Sequence, residues 1–201
     1  MSRVLVAAGL VGLAALSGGC RARPPEATVV APDSTTLAEM RGAAGGLAGG
    51  LVGALTAALA RGGPDSAIAF CADSAQVLTA RAQREGVTVR RIGTRVRNPA
   101  NQPDSVERRL LEHLAAERSA GRPLPADTVI VVAGAGGSEL RLVRPILIAE
   151  GCLACHGDPA TMSPGVRQTL AARYPGDQAF GYRLGELRGA VVVAKRIPRT
   201  D

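Results

Sequence analysis

Residues 128–148, TVIVVAGAGGSELRLVRPILI, decide the fold class of this chain. Two aliphatic runs, Thr128 to Val132 and Glu139 to Ile148, flank the turn Gly134-Ala-Gly-Gly137. Short apolar runs on either side of a glycine-rich turn predict a β-hairpin. Because a hairpin pairs its strands antiparallel, we expect an antiparallel sheet.

The segments before the hairpin carry helical patterns. We predict three helices, separated by Gly62-Gly63-Pro64-Asp65 and by a loop that contains Pro99 and Pro103, at 34–61, 65–85 and 105–120. The third helix has Asp104 and Glu107 in the spacing of a capping box. Further strands are expected at 87–92 and 186–195, with a short helix at 164–173. Helices followed mostly by strands indicate one α+β domain, which we place at residues 34–201.

The amino terminus has the pattern of an export signal. Arg3 precedes a short apolar run from Val4 to Leu16, which is shorter than the roughly 20 residues that a membrane span needs. The run ends in Leu16-Ser-Gly-Gly-Cys20, which resembles a bacterial lipobox, although the leucine stands one position further from the cysteine than usual. We expect a signal peptide at 1–19, lipid on Cys20, and a tether over 20–33. Ordinary secretion and a retained membrane anchor are the alternatives.

Composition narrows the possible partners. The 201-residue chain has a net charge of +7, mostly from arginine, and only 2% aromatic residues. Nucleic acid is not expected, because base stacking needs aromatic side chains. The positive charge fits an arginine-rich solvated surface, an acidic docking partner, or haem propionates.

The sequence Cys152-Leu-Ala-Cys155-His156 carries the chemistry. Cys-x-x-Cys-His is the attachment motif of c-type haem: two thiols bond the vinyl groups and the following histidine ligates iron. A disulfide between Cys152 and Cys155 leaves His156 unexplained. A zinc site that adds Cys71 lacks a second ligand pair, and a thioredoxin-like motif lacks its βαβ context. We therefore predict one covalent haem c on Cys152, Cys155 and His156.

The sixth iron ligand is open on residue spacing alone. His113 lies among leucines in a predicted helix, and Met162 is close to His156 in the chain. Cys71 is an unpaired thiol in an oxidising compartment and shares an apolar helix face with Ile68. An inert buried cysteine remains its alternative role.

Several separated motifs carry a family resemblance over most of residues 65–196. They are Ala69-Phe-Cys71, Arg91, Arg97-Asn98-Pro99-Ala-Asn101-x-Pro103-Asp104-x-x-Glu107, Arg144-Pro145-Ile146, Cys152 to Pro159, and the glycine-rich stretch from Tyr174 to Ala190. On these motifs the chain resembles a PAS-like family of small haem-binding proteins and sensor modules, whose cyanobacterial member is a monohaem c-type cytochrome with Cys/His ligation.

The resemblance implies a PAS-like fold, with Cys71 as the distal iron ligand opposite His156. Two departures, Gly93 in place of serine and Val106 in place of an aromatic residue, are expected near the haem pocket. Arg97 or Arg91 is a candidate partner for a propionate, since guanidinium binds carboxylate bidentately. Asn98 and Asn101 suit bonds to backbone groups in a stiff loop.

The expected function is low-potential electron transfer on the periplasmic side of a bacterial membrane, with a redox partner protein. Thiolate donates electrons strongly and stabilises ferric iron. Two protein ligands leave no open iron site, so we do not expect an enzyme. The alternative is a redox or diatomic-gas sensor that signals through a membrane receptor.

Overall fold

The computed structural model describes residues 27–29, 32–134 and 137–197. The strands are β1 (Ala27–Val29), β2 (Val87–Ile92), β3 (Thr128–Gly134), β4 (Gly137–Leu147) and β5 (Leu187–Ile197). The helices are α1 (Ser34–Asp73), α2 (Ala75–Arg81), α3 (Ser105–Ser119), α4 (Leu153–His156) and α5 (Pro164–Arg173).

The described strands form one antiparallel sheet in the order β1-β3-β4-β5-β2. β3 and β4 form the predicted hairpin, with Gly134 paired to Gly137 at its end. The α+β class and the antiparallel sheet predicted from the sequence are thereby confirmed.

Helices cover both faces of the sheet. Residues of α1 pack on one face in the main core, which contains Met40, Ala44, Leu47, Leu51, Val87, Val89, Leu140, Leu142, Val191 and Val193. Leu111 and Leu114 of α3 pack on the other face against Ala190 and Val192. Consecutive residues of β5 therefore alternate between the two cores, which explains its unbroken apolar run.

The predicted break between the first two helices lies inside α1. Gly62 (φ −155°) and Gly63 (φ 63°) leave helical geometry immediately before Pro64, so the second half of α1 takes a new direction. Among the described helices, α1 is long and apolar enough to cross a membrane by length and composition. Met40 and Ala44 on its inner face are fully buried against the sheet.

The third helix has the predicted cap. The Asp104 side chain accepts from the Glu107 backbone N–H at 2.9 Å, and the Glu107 side chain accepts from the Asp104 N–H at 3.0 Å. Glu107 is also fully buried and pairs with Arg90 and Arg141. The capping box thus attaches the start of α3 to the sheet.

Other elements differ from the predictions. Residues 27–29, which we placed in the tether, pair with Val132, Val131 and Ile130 of β3 as an edge strand. The predicted helix 65–85 is interrupted at Ser74, and α2 ends at Arg81. The signal peptide, Cys20 and most of the tether lie outside the described residues.

Candidate functional site

A cavity lies beside the sheet, between the second half of α1 and the Cys-x-x-Cys-His turn. It has about 1130 Å³ of empty space, part of it open to solvent. Cys71, Cys152, Cys155 and His156 all line it, so the structure brings together the four haem-site residues predicted within the described chain. Apolar lining comes from Leu55 and other residues of α1, and from Ile146 to Ile148.

The cysteine motif is held by a compact turn. Glu150–Cys152 forms a 3-10 turn that leads directly into α4, and the Gly157 N–H donates to the Leu153 carbonyl at 2.8 Å. A Cβ at Gly157 would lie 2.6 Å from that carbonyl oxygen, so the tight end of α4 requires glycine. The carbonyls of His156 and Gly157 accept from Tyr182 and Gly181. The motif is therefore fixed to the loop before β5.

The His156 ring is oriented by one backbone group. Its Nδ1 lies 2.7 Å from the Ala179 carbonyl oxygen, which only an Nδ1–H can satisfy as donor. The lone pair is then on Nε2, the ring nitrogen left for a metal. Burial, followed by the charges of Arg97 and Arg188, lowers the pKa of His156 to about 3. The imidazole is therefore neutral at pH 7.

Cys71 lies on the second half of α1, after the break. It is half-buried and is a free thiol, as are Cys152 and Cys155. Burial raises the pKa of Cys71, and nearby arginines, Arg91 first among them, oppose that rise. The cavity therefore places positive charge close to this sulfur.

Arg97 connects the parts of the site. It pairs with Asp177 at 2.9 Å, and donates to the carbonyls of Cys155 at 2.5 Å and Ala179 at 3.2 Å. Ala179 is the residue whose carbonyl orients His156. The Nε and Nη2 donors of Arg97 are thus used within the protein, which favours a role in positioning the motif over the propionate contact considered above.

Arg91 and Arg188 have fewer partners. The buried Nε of Arg91 has no hydrogen-bond partner within the described chain. Arg188 donates to the Arg95 carbonyl at 3.1 Å and lies 5.4 Å from the centre of the Tyr182 ring. Burial lowers the pKa of both guanidinium groups.

The alternative iron ligands lie elsewhere. His113 is exposed on α3, and Met162 is buried in a cluster with Ile68 and Tyr174. Neither of them lines the cavity. Within the described ranges, no group of three or more His, Cys, Asp or Glu residues has the arrangement of a metal site.

The expectations for the loop and for packing near the pocket have mixed outcomes. Asn98 accepts from the Ala100 N–H at 3.0 Å, as predicted, whereas Asn101 accepts from the side chain of Gln76. Gly93 lines the cavity as expected. The placement of Val106 near the pocket is wrong, because Val106 packs against Ile130 of β3.

Sequence reasoning missed three contributors to the site. The Ala179 carbonyl carries no residue-type signal, because any residue offers that group. Asp177 belongs to a quoted motif, but its contact with Arg97 spans 80 positions of the chain. Arg188 has no motif of its own, and the sequence offered only its position beside Gly189 in the glycine-rich stretch quoted above.

The fold and this cavity define an α+β protein with a Cys-x-x-Cys-His turn facing a cysteine on a separate helix. The chain belongs to the Tll0287-like family, whose model matches residues 25–196. This confirms the resemblance predicted from the sequence.

A comparison with solved structures finds a protein of similar fold. The cyanobacterial heme-protein Tll0287, known from a crystal structure, is 21% identical and has a TM-score of 0.56. The match covers 84% of this chain and 98% of that chain. None of the curated proteins compared with the chain matched it.

Proposed function

We propose that this protein is an exported, lipid-anchored monohaem c-type cytochrome that acts in low-potential electron transfer. Cys152 and Cys155 carry the haem, His156 is the proximal ligand, Cys71 is the distal ligand, and Cys20 carries the lipid. The observation that carries the proposal is the shared cavity, which is lined by the complete Cys-x-x-Cys-His motif and by Cys71.

The residues present fit a haem. The cavity lining combines apolar side chains with a few polar and cationic groups, the usual make-up of a cofactor pocket. His156 is neutral, with Nδ1–H bonded to Ala179 and Nε2 left over. The buried Arg91 Nε is a donor without an acceptor, which a negatively charged cofactor edge would supply.

Cys71 and His156 enter the cavity from separate elements. Cys71 comes from α1 beyond the Gly62–Gly63 break, and His156 comes from α4, which is fixed to the loop of Ala179. The family resemblance stated above favours Cys71 as distal ligand. A bound haem supplies reversible one-electron chemistry, and a thiolate ligand lowers its reduction potential.

The pair of candidate iron ligands, Cys71 and His156, supports an electron carrier rather than an enzyme. If Cys71 and His156 both ligate the iron, no iron site is left for a substrate. The partner is then a redox protein at the membrane surface, which the arginine-rich surface would attract if the partner is acidic.

Optical spectroscopy of the haem-loaded protein tests the ligand set. We expect a low-spin ferric spectrum with a thiolate signature that is lost in Cys71→Ala. His113→Ala is the matched control, and its spectrum should equal that of the native chain. An unchanged spectrum in Cys71→Ala would contradict the assignment of Cys71.

Carbon monoxide separates the carrier from the sensor alternative. A carrier keeps its distal ligand after reduction, so the ferrous spectrum should not change when CO is added. Rapid CO binding to the reduced protein would instead favour a redox or gas sensor that signals through a membrane receptor.

A further inference from the structure

Two arginines of the cavity lack the partners that buried charges normally have. Arg95 and Arg97 are paired with Glu186 and Asp177, respectively. Within the described residues, neither Arg91 nor Arg188 pairs with a carboxylate. Buried charges are usually paired, because their removal from water is unfavourable.

These two guanidinium groups face the same space. Both line the cavity that contains Cys71 and His156, and the charge of Arg91 disfavours the charged form of Arg188. Two like charges held together in a half-buried site destabilise each other, and an anion between them would offset that repulsion.

The absence of a side chain at Gly93 leaves room for the Arg188 guanidinium. A Cβ at position 93 would lie 2.7 Å from the Nη1 atom of Arg188, so a larger residue there would displace the guanidinium. Gly93 is also one of the two departures from the family pattern. The glycine and the arginine therefore belong to one local arrangement in this chain.

We propose that Arg91 and Arg188 form a carboxylate-binding edge of the cavity, and that the carboxylate is a propionate of the haem. The guanidinium fork matches a carboxylate in shape and charge, and the Nε of Arg91 is a free donor. This inference rests on the proposed function. It leaves Arg97 as a positioning residue.

Resonance Raman spectroscopy of the haem-loaded protein tests the proposal, because propionate bending bands shift when hydrogen bonds to the carboxylate are lost. Arg91→Gln and Arg188→Gln should each shift a bending band. Both variants should also lower the reduction potential, since a nearby cation favours the reduced haem. A tenfold change in the one-electron equilibrium would appear as a shift of about 59 mV in that potential.

Two further variants distinguish the effect of the position of the Arg188 guanidinium from the effect of the net charge of the protein. Arg84→Gln removes one charge from an exposed side chain and should leave the band in place. Gly93→Ala keeps every charge but displaces the Arg188 guanidinium, so it should shift the band as Arg188→Gln does.

Three outcomes would overturn the assignment. Unshifted bands in both arginine variants would exclude a propionate at this edge. If the bands stay unshifted in both variants while the thiolate signature changes in Arg91→Gln, Arg91 interacts with the Cys71 sulfur and not with a propionate. Added acetate can bind in place of a propionate. If acetate changes the reduction potential of the native protein but not that of Arg91→Gln, and the propionate bending bands stay unshifted in the variants, this edge binds a free carboxylate and not a haem propionate. Failure of the native chain to take up haem would instead contradict the proposed function.

Discussion

Arg97 holds the candidate site together at the scale of single residues. Its side chain is mostly buried, as is that of Asp177, and its Nη2 group donates to two backbone carbonyls. Breaking a buried pair by removing one partner leaves the other charge unpaired. The orientation of His156 depends on the same loop, through Ala179.

Replacing Arg97 should therefore be costly. We expect Arg97→Ala to lower the free energy of unfolding by about 3 kcal/mol, because it leaves Asp177 unpaired. Urea unfolding measures this change. Arg122→Ala is the control: Arg122 pairs with Glu117 on the surface, so its loss should have a much smaller effect. Equal losses in the two variants would contradict the role given to Arg97.

The cysteine motif could be predicted at this scale because its chemistry lies in consecutive residues. Cys152, Cys155 and His156 have a spacing that few other functions require. The roles of Arg97 and Arg188 could not be predicted, because each depends on contacts across about 80 or more positions. Cys71 lay between these cases: spacing left its role open, and the family resemblance pointed to it.

At the scale of elements, the start of β5 packs closely on the end of β2. Gly189 has φ +154°, and a Cβ there would lie 2.0 Å from the Ile92 carbonyl oxygen. Backbone atoms cannot move aside as a flexible side chain can. Both strands also line the cavity, so this contact fixes the position of Arg188.

Alanine at position 189 should disrupt this contact. We expect Gly189→Ala to destabilise the protein by about 3 kcal/mol, through the steric overlap and the unfavourable backbone conformation. Gly46→Ala is the matched control, since Gly46 is exposed in α1 with open space around it. That variant should gain about 0.5–1 kcal/mol. Thermal unfolding compares the two, and a stable Gly189→Ala would contradict the packing described here.

Elements that are encoded by neighbouring residues could be predicted from the sequence, whereas elements that depend on distant parts of the chain could not. The hairpin and the capping box of α3 are encoded within a few residues, and both formed as expected. β1 depends on the exposed edge of β3, which exists only after the sheet has formed. The interruption at Ser74 likewise has no strong breaker in the sequence.

At the scale of the whole molecule, Asp127 joins α1 to the segment before β3. It accepts two hydrogen bonds from Arg41 at 3.0 Å and a longer one from Arg144. The hydrogen bond from Arg41 lowers the pKa of Asp127 below 3.8. A carboxyl with a lowered pKa stabilises the fold above its unfolded value, and that stability is lost as the pH falls through the folded value.

The contribution of Asp127 should therefore depend on pH. We expect Asp127→Asn to cost about 1–2 kcal/mol at pH 7, between the values of exposed and buried pairs. The difference from the native chain should shrink as the pH falls below 3.8, where the unfolded carboxyl takes up a proton first, and should vanish below the lowered pKa of the folded state. Chemical unfolding at a series of pH values measures it. A difference that stays constant down to about pH 2 would show that the charge is not responsible.

Covalent attachment of one haem is the central claim, and intact-mass spectrometry tests it most directly. The native chain, produced with haem-maturation machinery and extracted with acidified acetone, should keep the mass of one haem. Cys71→Ser should keep it too, because Cys71 is proposed as an iron ligand and not as an attachment site. The double variant Cys152→Ser and Cys155→Ser should lose it. A native chain that carries no covalent haem under these conditions would contradict the account.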